Sequence, residues 1–357
     1  MSLAFVVPGS LGARTGGSTY NRFMVRGLRE QGRHVVVIEA EGAFPHPDVH
    51  ATAWLDGALA NLAEGTTVVV DGLIFGCVPD LAERHARRLR LVSLIHLPLA
   101  AAPGLDAASS AALRDAERRA LRSAHHVIIT GQATRRLLDG FDVPQQQLSL
   151  VEPGTDGPSA QELLAARAGR ARRQGQGPVR LLSVATLNPG KGHQTLLRAL
   201  AATTAASWHL TCAGSHEHHP PTVAAVRALV AECGLASRVR LAGNLDDAGL
   251  RAAYRDADVF VLATRRETYS MAVASALAWG LPVVSTQTGA IPDMVGDAAG
   301  LVVPVDDEAA LTAALQRVLG DGALRDTFGS GATGAAARLP LWPDQVARFA
   351  GVVDAIA

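Results

Sequence analysis

Cysteine is nearly missing from this 357-residue sequence: there are three, Cys77, Cys212 and Cys233, far apart along the chain. An odd, scattered set fits neither a disulfide framework nor a zinc site, and it points to a reducing, cytoplasmic setting. Long apolar runs are missing too. Nowhere do about 18 consecutive apolar residues occur, so no membrane-spanning helix is expected. The opening run Leu3–Val7 is too short for a secretory signal and has no basic flank. Net charge is absent, 33 basic residues balancing 33 acidic ones, which removes any overall pull toward nucleic acid or an anionic membrane. Lysine is scarce, and arginine carries almost all of the positive charge. No Ser-His-Asp order, nucleophile elbow or CxxC pattern appears.

What is there is alternation. Short β-rich runs alternate with longer, alanine-rich amphipathic stretches, the pattern of βα units around parallel sheets. In the first half, strands are expected at Leu3–Val7, Val35–Glu39, Thr67–Val70, Leu91–Ile95 and His126–Thr130. Helices are expected over Ser18–Gln31 and Ser109–Ser123. The stretch Gly157–Pro178 holds a small helical segment, then the basic, polar run Arg170-Ala-Arg-Arg-Gln-Gly-Gln-Gly-Pro178, whose end reads as a linker. The β pattern restarts at Arg180–Ala185 and continues at Trp208–Ala213, Val239–Ala242, Val259–Ala263 and Pro282–Ser285. The expected organisation is therefore α/β, with two Rossmann-like domains over residues 1–165 and 166–340. Residues 341–357 read as a helix that packs back on the first domain.

Doubly wound sheets bind ligands at the carboxyl ends of their strands, so the loops there matter most. Pro8–Gly17 joins a strand to a helix. Its glycines, Gly16 and Gly17 at the helix mouth above all, allow a ligand close to the backbone or simply supply positive φ. Glu39, at the end of the next strand, stands where dinucleotide folds keep a ribose-binding acid, but the loop does not spell G-x-G-x-x-G. Asn188-Pro-Gly-Lys191-Gly192-His193 sets a lysine between two glycines before a helix, a point charge beside free backbone donors that suits a diphosphate. It lacks the P-loop spacing. Ala257–Met271 is a buried strand running into the charged loop Arg265-Arg266-Glu267, with a helix opening near Tyr269, Ser270 and Met271. Glu267 is placed to accept hydrogen bonds from sugar hydroxyls.

Together these segments resemble the retaining GT-B glycosyltransferases of family 4. The likeness covers nearly the whole chain and is densest from Leu181 to Val305. It rests on Gly16-Gly17, Lys191-Gly192, Glu267, Gly280-Leu-Pro-Val283 and Gly289…Pro292-Asp293, in that order and spacing. The resemblance implies two Rossmann-like domains facing a cleft, and transfer of a sugar from a nucleotide diphosphate donor to an acceptor hydroxyl, with no cofactor and no metal. It implies that His96, after a first-domain strand, contacts sugar, that Lys191 holds the diphosphate, and that Glu267 orients the donor sugar. Gly16, Gly17, Thr186, Gly192, Arg266, Tyr269, Ser270, Met271 and Ser275 would line the substrate. Val151–Asp156 matches the segment that leads out of the first domain and reads as structural.

Two positions depart from the family. The second glutamate of its Glu–x7–Glu pair, which holds the ribose, falls at Ser275. The arginine that partners the lysine falls at Thr186, and Arg14, Arg265 or Arg266 could take its place. These departures motivate a non-catalytic pseudo-glycosyltransferase as the alternative reading, beside a GT-B nucleotide-sugar epimerase. His216-Glu217-His218-His219 reads as a solvated loop rather than a metal cluster. The arginine-rich stretches Glu83–Arg90 and Arg114–Arg122 read as solvated faces rather than a membrane-docking surface.

Overall fold

A computed structural model describes residues 3–204, 207–217 and 219–356. The chain divides into two compact units: Met1–Gly154 with Pro340–Ala357, and Thr155–Leu339.

The first unit is built on β1 (Leu3–Pro8), β2 (Val35–Ala40), β3 (Thr67–Asp71), β4 (Arg90–Ile95), β5 (His126–Ile129) and β6 (Leu148–Leu150). They form one parallel sheet in the order β2-β1-β3-β4-β5-β6. Every residue of β3 is buried, as a central parallel strand covered on both faces requires. The direction of winding reverses between β1 and β3, so the loops after these two strands flank the switch point. One face of the sheet carries Val6, Val68, Val70, Leu91 and Val127 into a common core.

Helix Trp342–Ile356 belongs to this unit. Trp342 stacks on Phe23 with ring centroids 4.2 Å apart, and Phe349 lies 6.0 Å from Phe5 of β1. Gly27 and Gly154 make room for this helix. A Cβ on Gly27 would stand 2.5 Å from the Val346 side chain, and one on Gly154 would stand 2.3 Å from the Trp342 nitrogen. Arg33 closes the far end on Asp354 at 2.6 Å.

The second unit holds β7 (Val179–Val184), β8 (Trp208–Ala213), β9 (Val239–Gly243), β10 (Val259–Leu262), β11 (Val283–Thr286) and β12 (Gly300–Val303). All strands are parallel, in the order β12-β11-β10-β7-β8-β9, with the switch point between β7 and β10. Strand alternation sorts β10 between two cores: Val259 and Val261 pack on one face, Phe260 and Leu262 on the other.

The small helical segment expected within Gly157–Pro178 is a capped helix, Ala160–Arg173, which takes in Arg170–Arg173 of the basic run. Gln174–Pro178 lies beyond it, and the boundary between the units falls earlier, at Gly154/Thr155. Ser159 and Glu162 form a reciprocal capping box at the start of the helix. Of its arginines, Arg172 is exposed, while Arg170 and Arg173 are half-buried and paired. Arg170 donates to the carbonyls of Trp279 and Gly280, and Arg173 donates to Asp258 at 2.8 Å. Long arginine stems bury while their heads find backbone and carboxylate partners, which a composition count does not show. Strands β6 and β12 were not anticipated in the sequence; each is only three or four residues long. Among the described residues no helix is long and apolar enough to cross a membrane.

Candidate active site

In the first unit the loop after β1 is fixed by Glu39, whose carboxylate accepts from the Leu11 nitrogen at 2.7 Å and the Ser10 hydroxyl at 3.4 Å. Glu39 is therefore occupied in shaping this loop rather than standing as a ribose acid. The following helix starts at Gly16, with Thr15 as its cap. Neither Gly16 nor Gly17 has positive φ. Gly17 packs tightly: a Cβ there would lie 3.1 Å from the His96 ring, which would have to give by a few tenths of an ångström.

His96 follows β4 and meets two residues that were not singled out in the sequence. Its Nε2 lies 3.2 Å from the Asn21 side-chain oxygen and 3.5 Å from an Asp71 carboxylate oxygen. Asn21 donates to that same oxygen at 2.7 Å, and the other accepts from the Leu73 nitrogen at 3.0 Å. Asp71 is 4% exposed. Burial alone would raise its pKa, but hydrogen bonds from His96, Asn21 and Leu73 outweigh it, and the carboxyl is held below its ordinary value. The Tyr20 ring meets the His96 ring edge-on at 5.2 Å, while its hydroxyl donates to the Val151 carbonyl at 2.9 Å. His96 is thus gripped through Nε2. The sequence signal for Asp71 is an acid closing the strand Thr67-Val-Val-Val, next to the switch point.

In the second unit the turns after β7 and β10 are locked together. The Gly190 carbonyl accepts from the Arg265 nitrogen at 2.8 Å and the Thr264 hydroxyl at 3.1 Å. Gly192 has φ +63, and a Cβ on it would stand 1.8 Å from the Ala263 carbonyl oxygen. That interlock delivers Lys191 to Glu267: Nζ donates to the carboxylate at 2.6 Å. Lys191 is the only lysine in the sequence. Glu267 is seated from behind, its nitrogen donating to Thr288 at 3.2 Å and its carbonyl packing against Gly289.

Two helices open beside this pair. His193–Ala201 is preceded by Gly192 and Met271–Ala278 by Ser270, and neither has a side-chain cap. Their first N–H groups remain available to an anion. Ser270 is ordinarily a capping residue type, but its φ of +83 places it in the left-handed region, and its buried hydroxyl has no partner among the described residues. Tyr269 is buried beside it.

Of the proposed replacements for the missing arginine, Arg265 is held by Asp306 at 2.7 Å, whereas Arg266 is exposed. Thr186 sits in the turn after β7, where its carbonyl accepts from the Asn188 nitrogen. Ser275 shares a hydrogen bond with the hydroxyl of buried Tyr254, which also donates to the Ala272 carbonyl. Of the four-residue histidine loop, His218 lies outside the described residues. No group of three or more His, Cys, Asp and Glu among the described residues could hold a metal.

Residues 178–321 match the family model for group 1 glycosyl transferases. An MMP α-(1→4)-mannosyltransferase of Mycolicibacterium hassiacum is 31% identical over 210 residues, covering 57% of this chain and 47% of that protein. A D-inositol 3-phosphate glycosyltransferase of Corynebacterium jeikeium is 28% identical over 59% of this chain and 53% of its own. The chain spans about half the length of the curated relatives it matches. Among solved structures, sucrose-phosphate synthase from Thermosynechococcus elongatus aligns over 99% of this chain and 98% of its own, with a TM-score of 0.81 at 20% identity. Anabaena Alr3699/HepE in complex with UDP-glucose aligns over 99% of this chain and 100% of its own, with a TM-score of 0.75 at 17% identity. The fold is that of these GT-B proteins.

Proposed function

With a group 1 glycosyltransferase domain over residues 178–321, we propose that this chain moves a sugar from a nucleoside diphosphate sugar to an acceptor hydroxyl, with retention at the anomeric carbon. The observation that carries the reading is the Lys191–Glu267 pair at the β7/β10 switch point, 2.6 Å apart between two uncapped helix starts.

The chemistry follows from charge. As the bond between the anomeric carbon and the diphosphate breaks, negative charge grows on the leaving oxygen. Lys191 and the N–H groups of the two helix starts oppose that charge in a fixed, partly desolvated setting. The new bond forms from the acceptor oxygen to the same carbon, and the acceptor proton leaves on the departing diphosphate. Glu267 accepts from hydroxyls of the donor sugar, which frees Lys191 for the phosphate. In the first unit, His96 presents Nδ1 to a sugar hydroxyl while Asp71 and Asn21 hold its other side. Arg266, exposed on the Glu267 loop, adds a cation. Lys191 and the helix starts supply the positive field that a metal would otherwise bring, so the reaction asks for no cofactor beyond its donor. Cys77, Cys212 and Cys233 are free thiols, which suits a reducing, cytoplasmic compartment.

The test is a panel of nucleotide sugars, UDP-glucose and GDP-mannose among them, assayed for release of free nucleoside diphosphate. Calorimetric titration with UDP, GDP and ADP runs alongside. The reading expects binding of at least one diphosphate and slow release of it from the matching sugar. A chain that binds none of them is not a glycosyltransferase of this kind.

A further inference from the structure

The loop after β8 was read from the sequence as solvated, yet it holds buried, unanswered nitrogen. The Nε2 of His216 is buried without a hydrogen-bond partner among the described residues, and so are both ring nitrogens of His193. Buried polar atoms in folded proteins are nearly always paired, so three such atoms in one place call for a partner. The two rings are close enough for His216 and Lys191 both to act on His193 electrostatically. Backbone bonds fix the neighbourhood: Leu187 donates to the Ser215 carbonyl at 3.0 Å, and Gly214 to the Gly243 carbonyl at 2.9 Å. A Cβ on Gly243 would point at the His216 ring, 4.0 Å away.

We propose that His193 and His216 form the ribose-binding pair of the donor site, in place of the carboxylate that Ser275 does not provide. This rests on the glycosyltransferase reading above and deepens it.

Position supports it first. The sheet order β10-β7-β8 sets Glu267, Lys191 and His216 on three successive strand ends. A nucleoside diphosphate sugar carries sugar, diphosphate and ribose in the same succession. With Glu267 at the sugar and Lys191 at the diphosphate, the next strand end along is where the ribose falls. Ser275 follows β10 instead, and its hydroxyl is engaged with Tyr254.

Protonation state supports it second. Burial, with Lys191 and His216 nearby, pushes the His193 ring down to about 4, and burial with Arg227 lowers His216. Both rings are neutral at pH 7. A neutral imidazole has one N–H donor and one acceptor nitrogen. Each ribose hydroxyl likewise donates once and accepts. A phosphate offers acceptors only and would leave the basic nitrogens facing lone pairs. The pair therefore suits the vicinal hydroxyls better than a second phosphate. His193 is 3% exposed and His216 only partly buried, so His216 meets the ligand first and His193 is the deeper partner.

The experiment compares each nucleoside diphosphate that binds with its 2′-deoxy and 3′-deoxy counterparts, by calorimetry on the full chain. For the native protein, loss of either hydroxyl is expected to weaken binding by about tenfold or more, because the buried nitrogens are left unpaired. In His216→Phe and His193→Gln the ribose form weakens and the gap between ribose and deoxyribose shrinks. Thermal melts of both variants show whether they fold. Equal binding of ribose and deoxyribose forms by the native protein overturns the inference without any variant, and leaves the glycosyltransferase reading intact. So does a full ribose preference in both folded variants. Failure of the native protein to bind any nucleoside diphosphate overturns both.

Discussion

Asp71 and His96 face each other across 3.5 Å in the first unit, with Asn21 bonded to both. The carboxylate is buried and keeps its charge through these bonds. It fixes which imidazole nitrogen faces inward and leaves the other outward. Asp71→Asn retains the shape but returns an amide that donates as well as accepts. Sugar transfer is expected to fall roughly 10- to 100-fold, the cost of about 1–3 kcal/mol for one misdirected buried hydrogen bond. Nucleoside diphosphate binding is expected to stay near native. A transfer rate within twofold of native in a folded variant would remove Asp71 from any role in positioning His96.

The same residue sets an acid limit. Its folded pKa lies below the unfolded value of about 3.9. The stability it contributes is therefore complete above that value and is lost as the pH falls through the folded one. Urea titrations between pH 3 and pH 7 are expected to show a smaller acid-side loss in Asp71→Asn than in the native chain.

Lys191 is the one lysine in the sequence, so an amine-directed reagent modifies a single side chain besides the chain's α-amino group. Bound nucleoside diphosphate is expected to protect it from acetylation, as peptide mass mapping reads directly. Lys191→Ala is expected to weaken diphosphate binding roughly 10- to 100-fold, as loss of a charge-assisted hydrogen bond does. Glu267→Ala releases Lys191 from its partner. It is expected to abolish transfer while leaving diphosphate binding equal to native or tighter. Transfer near the native rate in that variant would mean the donor sugar sits elsewhere.

Glu117 gives a pH dependence of opposite sign. Its carboxylate accepts from the Leu99 nitrogen at 2.9 Å, just beyond His96, and burial pushes its pKa up to about 8. A raised carboxyl stays protonated in the fold over a range where the unfolded chain has ionised. Stability therefore falls with rising pH between the unfolded value of about 4.3 and the folded one, by up to about 1.4 kcal/mol per pH unit. Glu117→Gln keeps the acceptor and removes the titration. Its melting temperature is expected to exceed the native one at pH 8 and to match it near pH 4.

Gly192 tests the interlock beneath Lys191. Alanine there needs a left-handed φ and places its Cβ 1.8 Å from the Ala263 carbonyl oxygen. The strained backbone alone costs about 1–3 kcal/mol, and the collision moves the turn. Gly192→Ala is expected to lower both the melting temperature and diphosphate affinity, while Gly234→Ala, at a positive-φ glycine with open space around it, lowers the melting temperature alone.

Much of this was legible in the sequence because strand and helix periods alternate without overlap. Lys191, Glu267 and His96 stood out because each follows a strand and opens a turn. Asp71 did not, since a valine run ending in Asp reads equally well as a strand followed by a helix cap, and it is both: its carboxylate also caps Leu73. The helix Ala160–Arg173 was expected as a short helical segment, but the pairing of Arg170 and Arg173 was not legible, because a basic run looks solvated until its carbonyl and carboxylate partners are seen. Ser275 and Thr186 could be recognised as departures from a pattern. The neighbourhood of His193 and His216 could not, because it forms only when β7 and β8 pair.

The return of helix Trp342–Ile356 to the first unit bears on how the chain is made. A ribosome that has delivered Gly154 has not delivered a finished first unit, because Phe23 and Phe5 still await Trp342 and Phe349. The second unit is contiguous and is synthesised whole before those partners emerge. Chains arrested after Leu339 should resist protease over Thr155–Leu339 while being cut within Met1–Gly154. The N-terminal half of this protein is thus translated first and completed last.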